Sequence, residues 1–114
     1  LANQLAPLGA MAKGEAPYDA AAAEKAAQSL AALASVDTSM VWAPGTEAGA
    51  LADSAALPEI IANASDREAR FAELKTAANT LAAAAGTGHD GLKAAMGAVG
   101  QACGGCHKQY RKPE

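Results

Sequence analysis

Cys103-Gly104-Gly105-Cys106-His107 is the stretch on which the reading of this chain turns. Two thiols separated by two residues and followed at once by an imidazole match the attachment signature of a c-type haem. The sulfurs form thioethers with the two vinyl groups of one porphyrin, and the imidazole reaches its iron. Outward from this run, Leu92, Met96, Val99, Cys103, Cys106 and Tyr110 advance by four, three, four, three and four residues. That spacing predicts one apolar stripe on a helix from about Asp90 to Arg111. The thiols therefore fall on the core-facing seam, and a porphyrin bonded to them lies inside the bundle that this helix joins.

Other chemistry for the same residues has less behind it. A thioredoxin-like dithiol needs a strand before the motif, and no β-rich segment precedes Cys103. A structural zinc site needs four ligands, and beyond Cys103, Cys106 and His107 the remaining imidazole is His89, on a glycine-flanked stretch. A disulfide across two glycines closes too small a loop to stabilise much.

Composition points the same way. About three residues in ten of the 114 are alanine, while valine and isoleucine number three and two. This is a helix-forming alphabet with little from which to build a sheet, and the length predicts one domain over residues 1–114. The expected class is all-α, an antiparallel four-helix bundle with one long crossover between the second and third helices and the haem inside. So few bulky apolar side chains fill a bundle thinly, so the porphyrin is expected to be part of the core. A formal charge of −3 excludes a strongly basic nucleic-acid binder, and no run of about twenty apolar residues predicts a membrane span. Haem c attachment follows export, which predicts a periplasmic location.

Along the chain, Leu1, Leu5 and Leu8 predict a short first helix ended by Lys13-Gly14. Asp19 predicts the cap of a second helix with Ala23, Ala26, Leu30, Leu33 and Ala34 on one face. Residues 37–64 lose periodicity, with helical turns expected near Leu51 and at Glu59-Ile60-Ile61. Ser65-x-x-Glu68 predicts a capping box for a third helix carrying Phe71, Leu74, Ala78 and Leu81. Met96 is a core residue, being on the same helix as His107 about 16 Å away at 1.5 Å per residue. Met11 and Met40 are not expected to ligate iron, and His89 is expected to be solvated.

The whole chain resembles the cytochrome c′ family and its low-spin relatives. The resemblance rests on Lys13-Gly14-Glu15-Ala16-Pro17-Tyr18-Asp19, Pro44-Gly45-Thr46-Glu47, Leu57-Pro58-Glu59-Ile60, and Cys103-x-x-Cys106-His107-x-x-Tyr110-Arg111. It implies thioethers at Cys103 and Cys106, His107 as the axial iron ligand, and a first helix truncated at its N-terminus. In the family that earlier stretch holds the residue over the sixth coordination position. It further implies binding of diatomic gases, nitric oxide and carbon monoxide, at a five-coordinate haem, or electron transfer with a redox partner protein. The alternative is a six-coordinate electron carrier with a methionine from the missing segment. No distal histidine–acid pair is in evidence, so an enzyme is not expected.

Trp42 matches an aromatic position beside the haem in the family. Thr46 and Glu47 are candidates for the propionate edge through water or a cation. Leu74 and Leu81 are expected to face the ring, and Arg111, one turn after His107, to shield the imidazole or pair with a propionate. The first two helices, with Leu1, Leu5 and Leu8 and an alanine-rich second helix, predict a homodimer.

Overall fold

A computed structural model describes residues 1–114 as five helices. They are α1 (Ala2–Ala12), α2 (Ala20–Ala34), α3 (Glu59–Ala62), α4 (Ala64–Ala84) and α5 (His89–Tyr110). The four long helices make the expected bundle: α1 packs on α2 and α5, and α4 packs on α2 and α5. The long crossover joins α2 to α3 and α4, and the body measures 44 × 25 × 18 Å. No helix is long and apolar enough to cross a membrane.

Local chemistry sets most boundaries. α1 runs through Pro7, whose missing N–H leaves the Asn3 carbonyl without its intrahelical donor. The helix stops where Gly14 takes φ +78, and Glu15 N–H returns to Ala10 O and Gly14 N–H to Met11 O at 2.9 and 3.2 Å. This is the Schellman arrangement, whose left-handed residue favours glycine. Asp19 caps α2 as expected, its Oδ1 accepting from Ala22 N–H at 3.1 Å.

Two local expectations fail, and a third, a solvated His89, is met only in part, since that side chain is 42% exposed yet hydrogen-bonded. The Ser65/Glu68 capping box does not form, because Ser65 already lies within α4, which follows α3 directly through Asn63. The joint is closed instead by buried Arg67, whose Nη1 donates to Ile60 O at 2.7 Å. Leu33, expected on the inner face of α2, is 47% exposed, and Ala27 takes the inner position. His89 is the first residue of α5, with Nε2 3.0 Å from Met11 O and its ring edge-on to Tyr18 at 6.3 Å.

Alanine allows the helices to approach closely. Ala23 and Ala27 on α2 and Ala78 on α4 are fully buried, with Leu8, Leu30, Leu81, Leu92 and Val99 filling the space between helices. Tyr18 ties the ends of two helical pairs together: its hydroxyl donates to Ala85 O at 2.6 Å and accepts from Gly88 N–H at 3.0 Å. Tyr18→Phe leaves both backbone groups short of a partner, and the expected loss is about 1–3 kcal/mol. The measurement is a lower midpoint of guanidinium unfolding at unchanged slope; an unmoved midpoint would show that the hydroxyl contributes nothing net.

Candidate haem site

At the end of the bundle away from Tyr18, α1, α4, α5 and the crossover leave a cavity of about 490 Å³. α5 contributes Ala102, Cys103, Cys106 and His107 to its wall, α4 contributes Arg70, Phe71 and Leu74, and α1 contributes Ala2 and Leu5. Trp42 and Val41 close it from the crossover. A second cavity of about 230 Å³ adjoins it, sharing Trp42, Phe71, Cys106 and His107, and reaches Ile60, Tyr110 and Arg111. The stripe periodicity therefore delivers both thiols and the imidazole to one mostly apolar space. Burial pushes both thiols above the usual range, and at Cys106 the neighbouring Arg70 guanidinium acts in the opposite sense.

The donor set and the void fit a covalently held porphyrin. Two thiols one helical turn apart face the space, an imidazole adjoins the second, and the lining is mainly hydrophobic. Trp42 Nε1 is buried with no acceptor, although its ring sits 6.0 Å from that of Phe71. Arg70 Nε likewise lacks a hydrogen bond. Unpaired buried donors are uncommon in proteins, and here they belong to side chains on the wall of an incompletely filled cavity.

The remaining sequence candidates divide. Trp42 and Leu74 line the larger cavity, and Arg111 lines the smaller one while pairing with Glu114 at 2.9 Å. Leu81 lies in the core cluster, outside the lining of either cavity. Thr46 and Glu47 are engaged within their own turn: Thr46 Oγ1 donates to Ala43 O at 2.6 Å, and Glu47 Oε2 accepts from Gly45 N–H at 2.7 Å. None of the three methionines lines either cavity. Met11 Sδ accepts from Asp19 N–H at 3.4 Å, Met40 is 89% exposed, and Met96 packs on the core.

Sequence reasoning missed Phe71 and Arg70 as cavity residues. Phe71 is the sole phenylalanine and stands three residues before Leu74, a signal that was legible. Arg70 carried none, because it is held by tertiary partners: Gln109 accepts from its Nη2 at 3.1 Å, and Asp66 and Glu73 lie at 3.6 and 3.8 Å. Asp66 also accepts a hydrogen bond from the Tyr110 hydroxyl. A two-rung ladder pins the crossover to the end of α5, with Leu57 N–H donating to Tyr110 O and Lys112 N–H to Ala55 O at 2.8 and 2.7 Å.

An antiparallel four-helix bundle with a C-x-x-C-H run opening onto an internal cavity defines the class of bundle-type c cytochromes. The cytochrome C′ family model matches residues 1–111, and the chain belongs to that family. Its members bind haem c covalently through a cysteine pair, and they are haem proteins of electron transfer and gas binding. Cytochrome c-554 of Cereibacter sphaeroides is 43% identical over 114 residues, spanning 100% of this chain and 74% of that protein. A cytochrome c′ structure from Rhodobacter Spheriodes superposes with a TM-score of 0.95 at 42% identity, covering 99% of this chain and 87% of the other. Structures of two point-substituted variants of the Alcaligenes xylosoxidans cytochrome c′, one with carbon monoxide bound and one a nitric oxide complex, superpose with a TM-score of 0.81 at 34% identity over 98% of this chain and 85% of theirs.

The Tyr110–Asp66 bond carries a titration signature. The hydrogen bond to Asp66, then burial, then the carboxylate's charge hold the Tyr110 phenol above its usual range. The neutral phenol is thus favoured by folding. Its contribution is complete below the unfolded value near 10 and is lost as pH rises through the folded value. Asp66→Ala is expected to let Tyr110 ionise at lower pH in an ultraviolet difference titration, and an unchanged titration would remove Asp66 as the cause.

Proposed function

We propose that the chain is a periplasmic haem protein of the c′ type. Cys103 and Cys106 would bond the porphyrin and His107 would hold its iron, which would supply a site for nitric oxide or carbon monoxide, with electron transfer as an associated capacity. The observation that carries this reading is the convergence of both thiols and the His107 imidazole on one apolar cavity. Bound haem supplies an iron that accepts one electron and an axial ligand.

The protein's part is positional. Cys103 and Cys106 fix the ring to one face of α5, and Phe71, Leu74 and Leu5 form apolar walls that keep water from the pocket. His107 is itself exposed, and Arg111 follows one turn later in the wall of the smaller cavity, where it can cover the imidazole. The lining holds no second imidazole and no carboxylate, the pair on which general acid–base chemistry at a haem draws. Periplasmic location is supported by the attachment chemistry, which follows export. Gas binding is supported by the carbon monoxide and nitric oxide complexes of the Alcaligenes xylosoxidans variants.

Spectroscopy of the holoprotein tests the reading. A high-spin ferric spectrum with reversible carbon monoxide binding to the ferrous form is expected. A sharp low-spin spectrum indifferent to carbon monoxide would replace the gas binder with a six-coordinate electron carrier. His107→Gly is expected to lose the native ferric spectrum and to regain a related one with external imidazole. Retention of the native spectrum in that variant would place the ligand elsewhere.

Pairing through α1 and α2 belongs to the same proposal, on a changed surface. Leu8 is consumed by the core, and Leu5 and Leu1 line the cavity, Leu1 remaining 46% exposed, which leaves Leu33 and the outer alanines of α2 as the free apolar surface. Sedimentation at micromolar concentration is expected to give a dimer that Leu33→Glu dissociates; a monomer at that concentration removes the pairing and leaves the fold untouched.

A further inference from the structure

Charge is distributed unevenly along this acidic chain. Residues 1–100 carry six Lys and Arg against eleven Asp and Glu, whereas residues 101–114 carry Lys108, Arg111 and Lys112 against Glu114 alone. The fold gathers those three cations around one cleft at the end of α5, together with Gly104, His107, Pro113 and the Glu114 carboxylate. All seven residues are exposed. Arg111 is neutralised by Glu114 at 2.9 Å, but neither lysine has a carboxylate partner.

Position gives this cationic pole its meaning. His107 lines both internal cavities and also this outer cleft, so one imidazole joins the space suited to the porphyrin to the cleft that Lys108, Arg111 and Lys112 surround. Gly104 presents no side chain there, and even an added Cβ would meet nothing within 4 Å. An approaching surface can therefore come close to the helix backbone beside His107. Cations at a helix C-terminus also offset its macrodipole, but that effect is read in stability and not in encounter rate.

We infer that this cleft is the docking face for one-electron exchange with a protein presenting an acidic patch, an inference that rests on the haem reading above. In the exchange a single electron passes between the partner's redox centre and the haem iron. One centre is oxidised as the other is reduced, and no bond or proton changes at the cleft. The lysines steer the encounter at low ionic strength, and the acidic remainder of the molecule turns such a partner away from other faces.

The test uses ferrous holoprotein and two inorganic oxidants, anionic hexacyanoferrate(III) and cationic tris(phenanthroline)cobalt(III), mixed by stopped flow at low and high salt. Lys108→Glu with Lys112→Glu is compared with Lys13→Glu with Lys93→Glu. The second pair makes the same charge change in a groove between α1 and α5, with Lys93 roughly 20 Å from Lys108 along the helix. At low salt the first pair is expected to slow hexacyanoferrate roughly tenfold, to speed the cobalt complex, and to lose both effects at high salt. The second pair is expected to change either rate less than about twofold.

Equal slowing by both pairs would show an effect of net charge alone and overturn the inference. A change of the same sign with both oxidants would show a shifted redox potential and also overturn it. Loss of binding to anionic phospholipid vesicles in the first pair, with both oxidant rates unmoved, would assign the lysines to a membrane surface instead. The absorption spectrum of each protein is recorded first. A chain without covalent haem would sink the haem reading itself, an outcome separate from any of these rates.

Discussion

Close approach of helices through alanine is the constraint on which the rest of this molecule depends. Ala23, Ala27, Ala78 and Ala85 are fully buried, and so small a side chain lets backbones come together without interlocking bulk. Where leucines and Val99 are available between the helices, the bundle is solid. Where they give way to the crossover, it is not, and the two adjoining cavities open there. The functional end of the protein is thus the end that its own side chains leave incompletely filled, and the thiols of α5 face into that deficit.

The two ends are held by different kinds of interaction. At one, Tyr18 and His89 join backbone groups of the α1–α2 and α4–α5 connections through hydrogen bonds to Ala85 O, Gly88 N–H and Met11 O. At the other, side chains bond to one another: Asp66, Glu73 and the neutral amide of Gln109 surround Arg70, and Asp66 also holds Tyr110. Beyond the burial that raises the Cys106 thiol, Arg70 and Asp66, which help tie α4 to α5, also act on it, the guanidinium lowering and the carboxylate raising it.

The fold, and the convergence of Cys103, Cys106 and His107 on one cavity, were legible because α5 carries a stripe with a strong 3.6-residue period that ends in a motif with few competing meanings. Legibility failed where alanine erased the phase. On α2, Leu33 and Ala27 are six residues and roughly 1.7 turns apart, and only packing against α1 and α4 decides that the alanine goes inside. It failed again where the partner is remote in sequence. The contact of His89 with Met11 O spans 78 positions, and Arg67 closes the α3–α4 joint in place of the local capping pattern. Leu81 shares the face of Leu74 but stands two turns further along α4, about 10 Å beyond it, and so passes from cavity wall to solid core. Thr46 and Glu47 were drawn into the geometry of their own turn, whose hydrogen bonds no periodicity reveals.

The ladder between the crossover and the end of α5 also bears on the order of assembly. Its rungs, Leu57 to Tyr110 and Ala55 to Lys112, join residues more than fifty positions apart, while the bonds within each helix span four. Closing so long a loop costs entropy that local helix formation does not, so the rungs form after the helices they connect. Until they form, the crossover bearing Trp42 is not pinned across the mouth of the cavity, and Cys103 and Cys106 stand open on a helix that already exists. Formation of the helix that carries the two thiols is thereby separated, in the order of assembly, from closure of the cavity's mouth.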